Sequence, residues 1–107
     1  MKTLTAIILK QDGATEETEY AKADELATLQ KAVGGYIEGV GQYGFGMDAY
    51  VNEEGLYTPG LTTNPHSARV LGVHLVGNIV LPRITPGKRA RLAKRGFLSA
   101  TSLPEGN

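Results

Sequence analysis

The run Ile7-Ile8-Leu9, inside a β-branched and apolar segment from Thr3 to Lys10, constrains this chain most. A strand with one face in water alternates apolar and polar residues, whereas three apolar residues in succession mark a strand buried on both faces. Asp12-Gly13 then signals a turn, and Thr15 to Tyr20 alternates threonine with glutamate as an exposed return strand. The two segments read as a β-hairpin.

From Asp24 the spacing becomes helical, with Leu26, Leu29 and Val33 on one face, and Gly34 stops the helix. Tyr36 to Val40 and Met47 to Val51 read as strands on either side of a glycine-rich stretch, and Asn52-Glu53-Glu54-Gly55 turns the chain back with Gly55 at positive φ. Asn64-Pro65 opens a short helix over His66 to Leu71, the asparagine capping free amides. Val73 to Leu81 is the last strand. Thr85-Pro86 repeats the cap for a basic helix over about 86–95, ended by Gly96.

Strands gathered before and after two or three short helices, without regular β-α-β alternation, predict an α+β domain with a mostly antiparallel sheet. A chain of 107 residues supplies one core. One domain over residues 1–98 and a flexible tail over 99–107 are therefore expected. The absence of cysteine excludes disulfides and thiolate metal sites and fits a reducing compartment. No signal-peptide pattern and no apolar run of membrane-spanning length is present, so the expected location is cytoplasmic, with no membrane partner.

The net charge is zero but unevenly spread. Residues 1–55 carry ten acidic and four basic side chains, whereas residues 82–107 carry Arg83, Lys88, Arg89, Arg91, Lys94 and Arg95 against Glu105 alone. That balance fits neither an acidic DNA mimic nor a general duplex binder. Lys88, Arg91 and Arg95 share one helical face, with Arg89 beside them. This segment reads either as a phosphate-binding face or as a solvated helix whose cations oppose the macrodipole.

Catalytic signatures are missing. Gly39, Gly41 and Gly44 fit the dinucleotide spacing, but a strand follows them and no acidic ribose partner stands about twenty residues on. Gly87-Lys88 lacks the rest of a phosphate loop. His66 and His74 have no cysteine partners, so a metal site would need Glu53 or Asp48, and a structural role is the simpler reading. Adjacent Glu53 and Glu54 could supply an acid, or merely a solvated turn. No catalytic residue, cofactor or metal is assigned.

Val33-Gly34-Gly35-Tyr36-Ile37-Glu38, Val51-Asn52-Glu53-Glu54-Gly55-Leu56, Asn64 with Ala68 and Leu71, and Val76-Gly77-Asn78-Ile79-Val80-Leu81 resemble a family of small domains of unknown function. That family is common in bacteriophages and in actinobacterial plasmids and genomes. The resemblance spans residues 3–81 and implies a phage accessory protein; the basic C-terminal helix is less typical of it. Tyr36, Glu38, Asn52, Glu53 and Asn64 form a polar set suited to a base and ribose, with Arg69 or the basic helix available for phosphate. Against this, Asn52 and Asn64 also read as turn and cap residues.

The expectation is a non-catalytic protein that sequesters a small phosphorylated ligand, such as a nucleotide signal of host immunity, as a homodimer or larger assembly. The alternative is a nucleic-acid- or host-protein-binding protein that uses Lys88, Arg89, Arg91 and Arg95. A metal-dependent enzyme built on His66 or His74 is a third class.

Overall fold

The computed structural model describes residues 3–43, 47–67, 74–94 and 96. Five strands form one antiparallel sheet: β1 (Thr3–Leu9), β2 (Thr15–Ala21), β3 (Ile37–Tyr43), β4 (Met47–Asn52) and β5 (Ile79–Leu81), in the spatial order β2-β1-β5-β4-β3. Helix α1 (Glu25–Val33) covers one face and helix α2 (Pro86–Lys94) the other. This is an α+β domain.

The apolar run behaves as its composition requires. Ala6, Ile7, Ile8 and Leu9 are all buried, and their side chains alternate between two cores. Ala6 and Ile8 join Tyr20, Leu29, Val33 and Val80 under α1. Ile7 and Leu9 join Met47, Ala49, Val51, Ile79, Leu81, Ile84 and Leu92 on the α2 side. The hairpin closes where Gly13 takes φ 96° and its amide donates to the Lys10 carbonyl, while the Asp12 carboxylate accepts from the Ala14 amide. Gly34 ends α1 in the left-handed conformation, φ 78°, and donates to the Gln30 carbonyl.

Three expectations are corrected. Leu26 stands 59% exposed, so contact between α1 and the sheet begins a turn later than the spacing predicts. Gly55 does not take positive φ. Asn52 Oδ1 already makes the turn by accepting from the Glu54 amide, and Gly55 opens a single 3-10 turn over Gly55–Tyr57 against the Val76 carbonyl. The last strand is Ile79–Leu81 alone, because Gly77 at φ 83° breaks it and Val76 only makes an isolated bridge to Thr63. Val73, most of the helix expected after Asn64, Gly44 and the expected tail lie outside the described residues.

Gly39 and Gly41 sit within β3, where a register shift interrupts pairing with β4 between Gly39 and Gln42. Among the described residues the element that follows is the strand β4 rather than a helix, which does not supply the context a pyrophosphate-binding turn needs.

Candidate functional site

Three asparagines turn inward. Asn64 is 1% exposed, and its Nδ2 donates at 2.8 Å to both the Leu9 and the Gly77 carbonyls, while its Oδ1 accepts from the His66 amide. Asn52 Nδ2 donates to the Val33 carbonyl at 3.2 Å, satisfying one of the last carbonyls of α1, and its Oδ1 holds the Glu54 amide at 2.7 Å. Asn78 Nδ2 donates to the Ala32 carbonyl, and its Oδ1 accepts from the Gln11 amide. A carboxamide can donate and accept at once, so each side chain staples two segments whose own backbone groups lack sheet partners.

Around Asn52 the surface is concave and aromatic. A cavity of about 420 Å³ is lined by Gln30, Gly34, Gly35, Tyr36, Glu54 and Thr58 with Asn52. A second, of about 200 Å³, shares Asn52 and takes Glu38, Glu53, Leu56, Tyr57 and His74 into its wall. Tyr36, Leu56 and Tyr57 are 70%, 79% and 86% exposed. Tyr36, Glu38, Asn52 and Glu53 are thus brought together, but the carboxamide of Asn52 is committed inward. The walls of both cavities carry carboxylates and no lysine or arginine among the described residues. Asn64 belongs to the loop anchor, away from this face, and Arg69 lies outside the described residues.

The basic helix packs across one face of the sheet through Leu92, and its Arg89 reaches the β2 edge. Arg89 clasps Glu17 of β2 with two bonds, Nη1–Oε1 at 2.6 Å and Nη2–Oε2 at 2.5 Å. The Thr85 hydroxyl accepts from the Lys88 amide at 3.2 Å, the expected cap. Lys88 is half-buried and Arg91 exposed, and Arg95 lies outside the described residues. The cavities lined by Tyr36, Glu38, Asn52 and Glu53 take no residue of α2 into their walls, so the polar set and the cations of the helix form separate surfaces.

Arg83 is spent structurally as well. Its Nε and Nη2 bond to Glu25 at 2.9 and 2.6 Å, and its amide donates to the Tyr20 hydroxyl, which itself donates to Glu25. The bonded Arg83 guanidinium holds the Glu25 carboxyl down at about 2, assisted by the Tyr20 hydroxyl against the cost of burial. Burial, and then the bond to Glu25, push Tyr20 up to about 12. Arg83 takes φ 54°, a conformation that this cluster holds in place.

One concavity went unread in the sequence. Between α1 and the β1–β2 hairpin lies a cavity of about 320 Å³ lined by Lys10, Glu16, Thr18, Thr28 and Lys31, with Ile8 and Ala32 as its apolar part. Lys10 lies 3.7 Å from Glu16, beyond hydrogen-bonding distance. Lys31 has no carboxylate partner among the described residues. The two lysines come from a strand end and a helix, and no local spacing links them.

His66 is buried with Nε2 2.9 Å from the Gly13 carbonyl, whereas His74 is exposed in the wall of the smaller cavity. No group of three or more metal-binding side chains gathers among the described residues. Among them, too, no helix is long and apolar enough to cross a membrane.

Fold and surface together define a small α+β domain with open concavities beside β3–β4 and between α1 and the β1–β2 hairpin. The chain belongs to the family of domains of unknown function DUF3846, whose model matches residues 1–93. Comparison with curated proteins and with solved structures gives no match.

Proposed function

We propose that this chain is a non-catalytic binding protein that captures a small phosphorylated ligand, a nucleotide by the chemistry of its lining, in the groove between α1 and the β1–β2 hairpin. The observation that carries the reading is the meeting of Lys10 and Lys31 in one cavity with an apolar floor. Two ammonium groups neutralise a phosphate, the Thr18 hydroxyl adds a donor, and Ile8 with Ala32 accepts a ring. Glu16 holds Lys10 only loosely, so a doubly charged phosphate outcompetes it. The volume of about 320 Å³ lies at the small end of ligand sites and suits a mononucleotide. Capture without turnover amounts to sequestration, and in a phage accessory protein the natural cargo is a nucleotide signal of host immunity.

Calorimetry with mononucleotides and cyclic nucleotides tests this. Each lysine contributes a charge-assisted bond, so Lys10→Ala and Lys31→Ala should each weaken binding by about tenfold or more. Native mass spectrometry of protein purified from cells, before and after denaturation, should release the ligand. Binding of no nucleotide, or binding unchanged in the double variant, would overturn the reading.

A second reading keeps the basic helix as a nucleic-acid- or host-protein-binding surface. It is favoured by Lys88, Arg91 and Lys94 at successive three-residue steps of α2, but it loses Arg89 to Glu17. Uniform, salt-dependent loss of RNA or DNA affinity on replacing Lys88 and Lys94 by Ala would support it.

A further inference from the structure

The surface around Asn52 gathers exposed apolar side chains. Tyr36, Leu56 and Tyr57 are the three most exposed large apolar side chains among the described residues, and they border the same pair of cavities. Scattered exposed apolar residues need no explanation, but a contiguous aromatic patch with a charged rim marks an interaction site. The rim here is Glu38, Glu53 and Glu54, all exposed. The Glu53 amide donates to the Tyr36 carbonyl at 2.8 Å, which fixes one carboxylate-bearing residue beside one aromatic ring.

Carboxylates beside tyrosine rings attract cations twice over, by Coulomb pairing and by the electron-rich ring faces. Three carboxylates also bar this face from pairing with itself, since like charges would oppose each other across a two-fold axis. Nor does edge-to-edge addition to β3 suit it, because the register shift between Gly39 and Gln42 interrupts the ladder. The occupant must bring cations on a raised surface.

The chain presents such a surface itself. Helix α2 carries Lys88, Arg91 and Lys94, with Arg91 and Lys94 exposed. The acidic aromatic face and the exposed cations of α2 are separate surfaces of opposite sign on one chain of zero net charge, so a second copy can meet the first head to tail, one kind of face against the other. We propose that the acidic aromatic face of one copy receives the basic face of α2 from a second copy, Lys88 and Lys94 of the incoming helix pairing with Glu38 and Glu53 over the Tyr36 and Tyr57 rings. The contact leaves one acidic face and one basic helix open, so it propagates until a ring closes. This inference is independent of the ligand groove, which lies on the other flank of α1.

Two variants test it. Glu38→Gln with Glu53→Gln neutralises the acidic face and keeps the helix, whereas Lys88→Gln with Lys94→Gln does the reverse. In sedimentation velocity the unaltered protein should associate, and its weight-average mass should fall between about 0.05 M and about 0.5 M salt as screening shortens. Each variant alone should remain monomeric, with circular dichroism confirming its fold. Mixed together, they should form a pair and stop there, because each retains one competent surface. A protein that stays monomeric at low salt and high concentration, a variant that still self-associates, or a mixture that forms no pair would each overturn the proposal.

Discussion

Gly35→Ala provides the sharpest test of the inward reading of Asn52. A Cβ at position 35 would lie 2.8 Å from Asn52 Nδ2 and 3.5 Å from its Cγ, with no positive φ at Gly35 to confuse the result. The amide cannot simply swing away, because the residue is buried and bonded to the Val33 carbonyl and the Glu54 amide. Displacing it strands at least one buried partner, at a cost of about 1–3 kcal/mol per group. Removing a glycine's freedom in the unfolded chain offsets about 0.4–1 kcal/mol of that. A net loss of about 1–1.5 kcal/mol follows, or a fall in Tm of roughly 5–6 °C for a domain of this size. Asn52→Ala should cost about 2–4 kcal/mol, since both bonded groups lose their partner. The double variant decides the mechanism. With no amide to strike, the substitution at 35 should become neutral or slightly stabilising, giving a coupling of about 2 kcal/mol. Urea unfolding followed by far-ultraviolet circular dichroism measures all four corners of the cycle. Additive losses, or a stabilising Gly35→Ala in the otherwise unaltered protein, would refute the argument.

Asn64→Ala should cost about 3–5 kcal/mol in the same assay, and Asn64→Asp should fare little better, because a carboxylate cannot donate to the Leu9 and Gly77 carbonyls. Stability should fall on the acid and on the alkaline side. On the acid side the unfolded chain takes up a proton at Glu25 near 4.5 while the folded one resists to about 2, so stability drops as pH falls through that window. On the alkaline side the unfolded tyrosine ionises near 10 and the folded Tyr20 only near 12, so stability drops as pH rises between them. Urea midpoints against pH should show both flanks, and Glu25→Gln should flatten the acid one at a cost of order 1 kcal/mol near neutrality, Arg83 being largely in water. Gly77→Ala should lose about 1–2 kcal/mol by thermal melting, from its φ of 83° and a Leu61 methyl 3.3 Å from the new carbon.

Local chemistry made much of the fold legible. The unbroken Ile7-Ile8-Leu9, the Asp12-Gly13 turn, the helix ended by Gly34 and the capped helix after Thr85 all stand where short-range rules put them. What failed was set by distant partners. β5 ends up between β1 and β4, and the segment before it is shortened by Gly77 and held by Asn64. The asparagines were visible as polar positions, but a carboxamide that caps a backbone and one that reads a base look alike until its partners are known. Lys10 and Lys31 are brought together by α1 lying across the hairpin, and no pattern in the sequence links them.

The three residues of β5 carry a consequence for how the molecule is made. Both hairpins, β1–β2 and β3–β4, are complete once residue 52 exists, and each can zip within its own neighbourhood. The seam between them is Ile79–Leu81, which reaches β1 across some seventy residues of chain. Until that seam is synthesised and slots in, Ile7, Leu9, Met47 and Val51 have no core to enter. Closing so long a loop around so short a strand makes the last step of folding slow compared with the first. A nascent chain halted before residue 79 is therefore an adhesive intermediate with two finished ribbons and nothing between them, and its solubility depends on how soon the remaining residues leave the ribosome.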